Sequence, residues 1–166
     1  MSAPAMILVD TNVISELMRA VPAPAVLSWF DEQEAGELYF SAVGEAELRT
    51  GAAILPEGKR RDRLIAEVDA MIAEDFTGRV LPFDSVAAKA YAAIAASRRA
   101  AGRPITQADC QIAAIARAAG AALATRNVRD FQGCGIEVVD PWNGDEAFID
   151  PPFFKYLKTC EVGFRD

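Results

Sequence analysis

The chain has 166 residues, of which 52% are hydrophobic and 25% charged, and this suits a single globular domain with one substantial core. It contains no histidine, which excludes histidine general bases, Ser-His triads and histidine-ligated zinc. Its 24 acidic residues outnumber 17 basic ones and give a net charge of −7, so a nucleic-acid partner requires bound cations or local basic patches.

Short apolar runs and helix-capping residues predict strands and helices that alternate along the chain. In order, they are strand 6–9, a helix to about 18, helix 25–32, strand 37–40, helix 42–55, helix 60–76, strand 79–82, helix 85–101, helix 107–119, strand 121–124 and strand 136–139. This alternation predicts an α/β fold with a mostly parallel sheet of about five strands flanked by helices. We expect one domain over residues 1–142 and a C-terminal extension of unknown role over 143–166.

Polar residues and a glycine mark where several helices begin and end. Thr11 or Asn12 is predicted to cap the first helix, Ser41 the helix after the second strand, and Thr106 the helix before the fourth strand. Gly120 is predicted to end that last helix, because glycine readily adopts the left-handed conformation of a helix C-terminus.

Carboxylates follow the strands at the edge where open α/β sheets bind ligands. Asp10 ends the first strand, Asp130 lies in the loop after the fourth, and Asp109 lies in the first turn of the preceding helix. Glu47 lies on the helix after the second strand, on a face that we predict points inward because its neighbours are small or apolar. Acidic groups that converge at one edge repel each other, and a hard cation such as Mg²⁺ or Mn²⁺ relieves this repulsion.

Each carboxylate also has an interpretation without catalytic function. Asp10 can cap the first helix, and Asp109 can stabilise its own helix through the helix dipole. Glu47 can be a solvated surface residue, and Asp130 an ordinary loop residue. The joint placement of the four acids, and not any one of them, indicates a metal site.

Four motifs in order resemble those of PIN domains, especially the VapC and FitB toxin group. They are ILVDTNVISEL at 7–17, AELRTG at 46–51, ITQADCQIAAIA at 105–116, and LATRNVRDF at 123–131 followed by VVDPW at 138–142. The resemblance covers nearly all of residues 6–142. It implies a PIN-like fold and metal-dependent hydrolysis of RNA phosphodiesters, with Mg²⁺ as cofactor and Mn²⁺ as a possible substitute.

The resemblance assigns the acidic site to Asp10, Glu47 and Asp109, with Asp130 as the candidate fourth acid. Many relatives have aspartate where this chain has Asn127, and asparagine is a poorer ligand. Asp130 can supply that charge instead, or the fourth position acts only through water.

The resemblance also implies residues around the acids and partners of the protein. Asn12 and Thr125 match polar positions that orient the acids. Three arginines are candidates for RNA contacts or for surface salt bridges: Arg49, Arg126 and Arg129. An antitoxin that occludes the site, a homodimer, and DNA contact only through the antitoxin are expected. The short helix at 25–32 carries apolar residues that fit either a groove for the antitoxin or the core: Val26, Leu27, Trp29 and Phe30.

Two other functions remain open on the sequence. In a non-catalytic binding module, the PIN fold persists but the acids do not assemble a metal. An aspartyl-phosphate mechanism also uses a carboxylate after the first strand, but it normally has a second aspartate two residues on, where this chain has Asn12.

The sequence predicts a cytoplasmic protein without membrane contact. No apolar run reaches the roughly 18 residues that a membrane span needs, and the start lacks the pattern of a secretory signal. The cysteines at positions 110, 134 and 160 are odd in number and lack metal-like spacing, so we expect reduced thiols.

Overall fold

A computed structural model describes residues 5–143 and has the predicted α/β fold. The predicted C-terminal extension, apart from its first residue, lies outside the described residues. Five short parallel strands form one sheet in the order β3-β2-β1-β4-β5. Their bounds are β1 Ile7–Val9, β2 Leu38–Ser41, β3 Val80–Leu81, β4 Ala122–Ala124 and β5 Val138–Val139.

Helices connect the strands, as parallel pairing requires. Their bounds are α1 Thr11–Leu17, α2 Pro24–Asp31, α3 Ala42–Ala53, α4 Lys59–Glu74, α5 Ser85–Ala100 and α6 Gln107–Ala119. Three 3-10 turns that the sequence analysis did not predict lie at Ala35–Glu37, Val128–Phe131 and Pro141–Asn143. Within the described residues, no helix has the length and apolar character to span a bilayer.

The sheet separates two hydrophobic cores, because alternate residues of a strand point to opposite faces. Ile7 and Val9 of β1 pack with α1, α2 and α4 on one face. Leu8 packs on the other face with Leu123 of β4 and with residues of α5 and α6. The central strand β1 is buried on both faces, which is why it reads as a continuous apolar run in the sequence, whereas the edge strands β3 and β5 are half-buried.

Most predicted helix ends are confirmed. The Ser41 hydroxyl accepts a hydrogen bond from Gly44 N–H, and the Thr106 hydroxyl accepts one from Asp109 N–H. Gly120 ends α6 with a φ of 67°. The prediction of Thr11 or Asn12 as the cap of α1 is wrong, and the alternative given for Asp10 is confirmed: its carboxylate accepts the Thr11 N–H as the N-cap.

Most apolar residues of helix α2 are part of the core, as the second of the two interpretations predicted. Val26, Trp29 and Phe30 are buried in the first core, and Leu27 packs against it. The 3-10 turn that contains Trp142 covers α2. The apolar residues of α2 are therefore already occupied by contacts within the domain.

Candidate metal centre

Asp10 lies at the carboxyl end of the central strand, beside the end of β4. Its N–H donates to Ala124 O at 2.9 Å, which continues the parallel ladder by one residue. One carboxylate oxygen accepts the Thr11 N–H at 2.8 Å, and the other accepts the Thr125 hydroxyl at 2.8 Å. Only 7% of Asp10 is exposed, and this burial raises the pKa of its carboxyl, while the two hydrogen bonds oppose the rise.

A small polar network fixes the orientation of Asp10. Asn12 Nδ2 lies 3.4 Å from Asp10 Oδ2 and 3.2 Å from Thr125 Oγ1. The Thr125 hydroxyl also accepts Asn127 N–H at 3.1 Å, and Asn12 Oδ1 accepts Arg126 N–H at 3.3 Å. Because the Thr125 oxygen accepts from two N–H groups, its single proton is directed to Asp10. The structure thus brings these four polar residues together around one acid.

We predicted that Glu47 points inward, and this prediction is wrong. The side chain is exposed, and so are Thr50, Gly51 and Ile54 on the same side of α3. Partial desolvation nevertheless raises the pKa of the Glu47 carboxyl, and the negative charges of Asp10 and Asp109 raise it further. Glu47 is therefore exposed, yet its carboxyl lies near enough to Asp10 and Asp109 for their charges to act on it.

Asp109 enters the same region from the first turn of α6. It is half-buried, and desolvation is the main reason that its pKa is raised. A hydrogen bond with the Thr106 side chain and the positive charge of Arg98 oppose that rise, whereas Asp130 adds to it. Asp109 thus has the contacts expected of an acid that stabilises its own helix, and its carboxyl also interacts with the charges of neighbouring residues, as in a shared acidic site.

Asp130 lies in the 3-10 turn Val128–Phe131, and Asn127 is the residue that precedes this turn. Both side chains are exposed. Asp130 acts on Asp109 through its charge, whereas Asn127 reaches the network only through its backbone N–H to Thr125. The position where relatives have aspartate therefore contributes a backbone hydrogen bond here.

These residues fit a hard divalent cation by their chemistry. Asp10 follows β1, Glu47 lies on α3 and Asp109 on α6, and all three have raised pKa values partly because neighbouring acids repel them. Among residues 5–143, no three acidic or thiol side chains lie close enough together to hold a metal ion as they stand. Bringing such charges into one shell requires a cation that neutralises their repulsion.

The arginines that we considered for RNA contact have different surroundings. Arg49 forms ion pairs with Glu45 at 2.7 Å and with Asp69 at 2.5 Å. It therefore has the surface salt bridges that were the alternative to RNA contact. Arg126 is exposed, and its guanidinium lies 5.1 Å from the centre of the Trp142 ring. Arg126 follows Thr125 directly and so lies beside the acids.

Sequence reasoning missed Arg98. It lies in the last turn of α5, where a basic residue reads as an exposed side chain that complements the helix dipole. The structure buries it beside the turn that contains Asp130. No local sequence pattern distinguishes it from its neighbour Arg99, because the difference depends on how distant segments pack.

Comparison with known proteins identifies the class. The sequence pattern of the PIN domain matches residues 7–133. The chain is 47% identical over 137 residues to a plasmid stability protein, StbB, of Pseudomonas syringae, covering 82% of this chain and 99% of StbB. It is 44% identical over 137 residues to VapC ribonuclease Y4jK of Sinorhizobium fredii (82% and 98% covered) and 40% identical over 138 residues to toxin FitB of Neisseria gonorrhoeae (83% and 99%).

The fold agrees with this result. A structure of FitAB bound to an IR36 DNA fragment superposes with a TM-score of 0.79 at 38% identity and covers 86% of this chain and all of that one. The chain belongs to the PIN domain family. Within that family it is similar to the VapC and FitB proteins, as the four motifs predicted. PIN-domain ribonucleases are generally dependent on a divalent metal.

Proposed function

We propose that this protein is a metal-dependent endoribonuclease and the toxin of a type II toxin–antitoxin pair. The observation that carries the proposal is the buried carboxylate of Asp10, which Thr11 and Thr125 hold in one orientation at the end of the central strand. The charges of Asp109 on Asp10, and of both on Glu47, agree with a shared acidic site. The similarity to a VapC ribonuclease and to toxin FitB supports the same activity.

Within this proposal, Asp10 and Asp109 bind the principal Mg²⁺, and Glu47 and Asp130 bind a second ion or orient water. Mn²⁺ is a possible substitute, because both ions prefer carboxylate oxygens. When bound, such a cation lowers the pKa of water and neutralises charge at the phosphate. This chemistry needs no histidine, and the chain has none.

Residues around Asp10 hold its carboxylate in an orientation suited to binding a cation. The Thr125 proton is directed to Asp10, and the Thr11 N–H binds the other carboxylate oxygen, so Asp10 is kept as an acceptor in one orientation. Asn12 links this carboxylate to the backbone of Arg126. Rigid support of this kind reduces the reorganisation needed when a cation binds.

We assign RNA binding to exposed residues at the same edge of the sheet. Arg126 is the best placed to contact a phosphate, with Asn127 beside it. Arg49 would have to leave Glu45 and Asp69 to bind RNA, so we give it the structural role. A local cation at Arg126 offsets the repulsion expected between RNA and a protein of net charge −7.

The proposed partners follow from the same family. FitAB and VapBC complexes bound to DNA are among the structures that this chain resembles, at 38% and 25% identity. We therefore propose a cognate antitoxin, DNA contact only through that antitoxin, and a homodimer.

The proposed location is the cytoplasm. RNA is available there, and Cys110 and Cys134 remain free thiols in that compartment.

The proposal is tested by incubating the purified protein with a panel of structured RNAs in Mg²⁺, Mn²⁺ or EDTA. We expect specific cleavage in either metal, none in EDTA, and none by an Asp10→Asn protein purified in parallel. Cleavage that persists in EDTA, or in the Asp10→Asn protein, would show that the acids are not the active site.

A non-catalytic binding module is the second candidate. It is favoured by the absence, among residues 5–143, of three acids already close enough to hold an ion. RNA binding without cleavage in any divalent metal, at full occupancy of the RNA, would establish this alternative instead.

A further inference from the structure

The buried guanidinium of Arg98 has three backbone carbonyls and the Cys134 sulfur as its partners. Only 7% of the residue is exposed, and no carboxylate among residues 5–143 lies within ion-pairing distance of it. Its Nε donates to Arg103 O at 2.6 Å, and its Nη1 donates to Asp130 O at 3.0 Å and Gln132 O at 2.7 Å. A buried cation persists in a protein when dipoles of this kind replace its hydration.

These carbonyls belong to the two segments that carry acids of the proposed site. Arg103 precedes Thr106, the N-cap of the helix whose first turn contains Asp109. The other two carbonyls lie in and just after the turn that contains Asp130. One planar guanidinium therefore connects the backbone before Asp109 to the backbone at Asp130.

The positive charge of Arg98 also acts on the Asp109 carboxyl. It lowers the pKa of the Asp109 carboxyl, whereas Asp130 raises it, so the two acids and the guanidinium share one electrostatic environment. A positive charge behind the acids reduces their mutual repulsion while no cation is bound. Arg98 lies behind the acidic edge, and burial keeps it from RNA.

We propose that Arg98 is a positioning residue for the cation site: it fixes the turn that carries Asp130 relative to Asp109, without contacting the metal or the RNA. This inference rests on the proposed function, because it takes Asp109 and Asp130 to belong to one cation-binding site, whether Asp130 binds an ion or orients water. It also predicts which part of arginine matters. Lysine keeps the charge but cannot donate to three carbonyls in the geometry of a guanidinium.

The test measures Mg²⁺ affinity by titration calorimetry on wild type, Arg98→Lys and Arg98→Met, each shown to be folded by circular dichroism. We expect both variants to lose about 10-fold or more in affinity, the range seen when the supports of metal ligands are removed. The control is Arg79→Lys. Arg79 also donates to three carbonyls, those of Ala35, Leu38 and Asp75, but it precedes β3, at the opposite edge of the sheet. It should retain affinity within about twofold.

Asp130→Asn provides the decisive comparison. If Arg98 acts through Asp130, Arg98→Lys should weaken Mg²⁺ binding much less in the Asp130→Asn protein than in wild type. Equal losses in both backgrounds, or wild-type affinity in Arg98→Lys and Arg98→Met, overturns the inference while leaving the nuclease proposal intact. If wild type itself shows no Asp10-dependent binding of Mg²⁺, both proposals are wrong.

Discussion

Asp10 has a structural role as a helix cap and a proposed chemical role as a metal ligand. It caps α1 through the Thr11 N–H, and it is also the most buried of the four candidate acids. Asparagine is as good an N-cap as aspartate, so exchange between the two separates the functions. The cap is retained, whereas the negative charge that attracts a cation is lost.

We predict that Asp10→Asn reduces RNA cleavage by more than about 100-fold, the upper loss found when only the support of a metal ligand is removed. The metal-free protein should be no less stable than wild type, because a buried charge has been removed next to other acids. Cleavage rate and thermal melting in EDTA measure the two effects. A collapse of Tm with unchanged activity per folded molecule would identify the acid as a cap only.

Glu45 and Glu47 offer a matched pair on one helix. Residues two apart on a helix point about 200° apart, and Glu45 binds Arg49 whereas Glu47 faces Asp10 and Asp109. We predict that Glu47→Gln weakens Mg²⁺ binding about 10-fold and that Glu45→Gln changes it less than about twofold. Calorimetric titration decides between them, and equal losses would contradict the proposed site.

At the scale of elements, α3 approaches the sheet closely because residue 44 is glycine. A Cβ at Gly44 would lie 2.7 Å from the Phe40 ring and 3.2 Å from the Thr11 hydroxyl. The Phe40 ring is fully buried and packs on Phe76 with centroids 5.5 Å apart, so it has no free space to move into. This close packing sets the distance of Glu47, one turn further on, from the first strand.

Gly51 on the same helix is the control, because a Cβ there meets nothing within 4 Å. We predict that Gly44→Ala destabilises the protein by about 1–3 kcal/mol through overpacking. Gly51→Ala should stabilise it by about 0.5–1 kcal/mol, because alanine favours helix more than glycine. Denaturant unfolding measures both; the same sign for both changes would disprove the packing argument.

Elements with local signals could be predicted from the sequence. The apolar run before Asp10 and the caps Ser41 and Thr106 depend on neighbouring residues, so their positions were evident. The exposure of Glu47 was not evident, because its neighbours Thr50, Gly51 and Ile54 are exposed although small and apolar residues usually indicate an inward face. The burial of Arg98 depends on carbonyls more than 30 residues away, which no local pattern records.

At the scale of the whole molecule, the proposed function predicts that a cation bound by acids from three elements stabilises the fold. We predict that Mg²⁺ or Mn²⁺ at a hundredfold excess over Kd raises the free energy of unfolding by about 2.7 kcal/mol. Thermal melts at matched ionic strength, with Asp10→Asn as the control, measure this. A wild-type Tm indifferent to millimolar metal would favour the binding module.

The metal-free protein should also respond to pH. The pKa values of Asp10, Glu47 and Asp109 are raised in the folded state, so it binds more protons than the unfolded state between the raised values and the ordinary 3.8 to 4.5. Stability attributable to these groups therefore increases as pH falls through the raised values. In EDTA, the stability of wild type relative to Asp10→Asn should rise on mild acidification; a fall in this difference would refute the assigned directions.

The contact between Asp10 and Thr125 joins residues 115 positions apart in the chain. During translation, the first strand leaves the ribosome early, but its neighbour β4 is among the last parts of the domain to be made. Asp109 and Asp130 lie 99 and 120 residues after Asp10 and are therefore made much later. Under the proposed function, a nascent chain that ends before Asp109 lacks part of the acidic site, so we expect such truncated products to leave RNA intact.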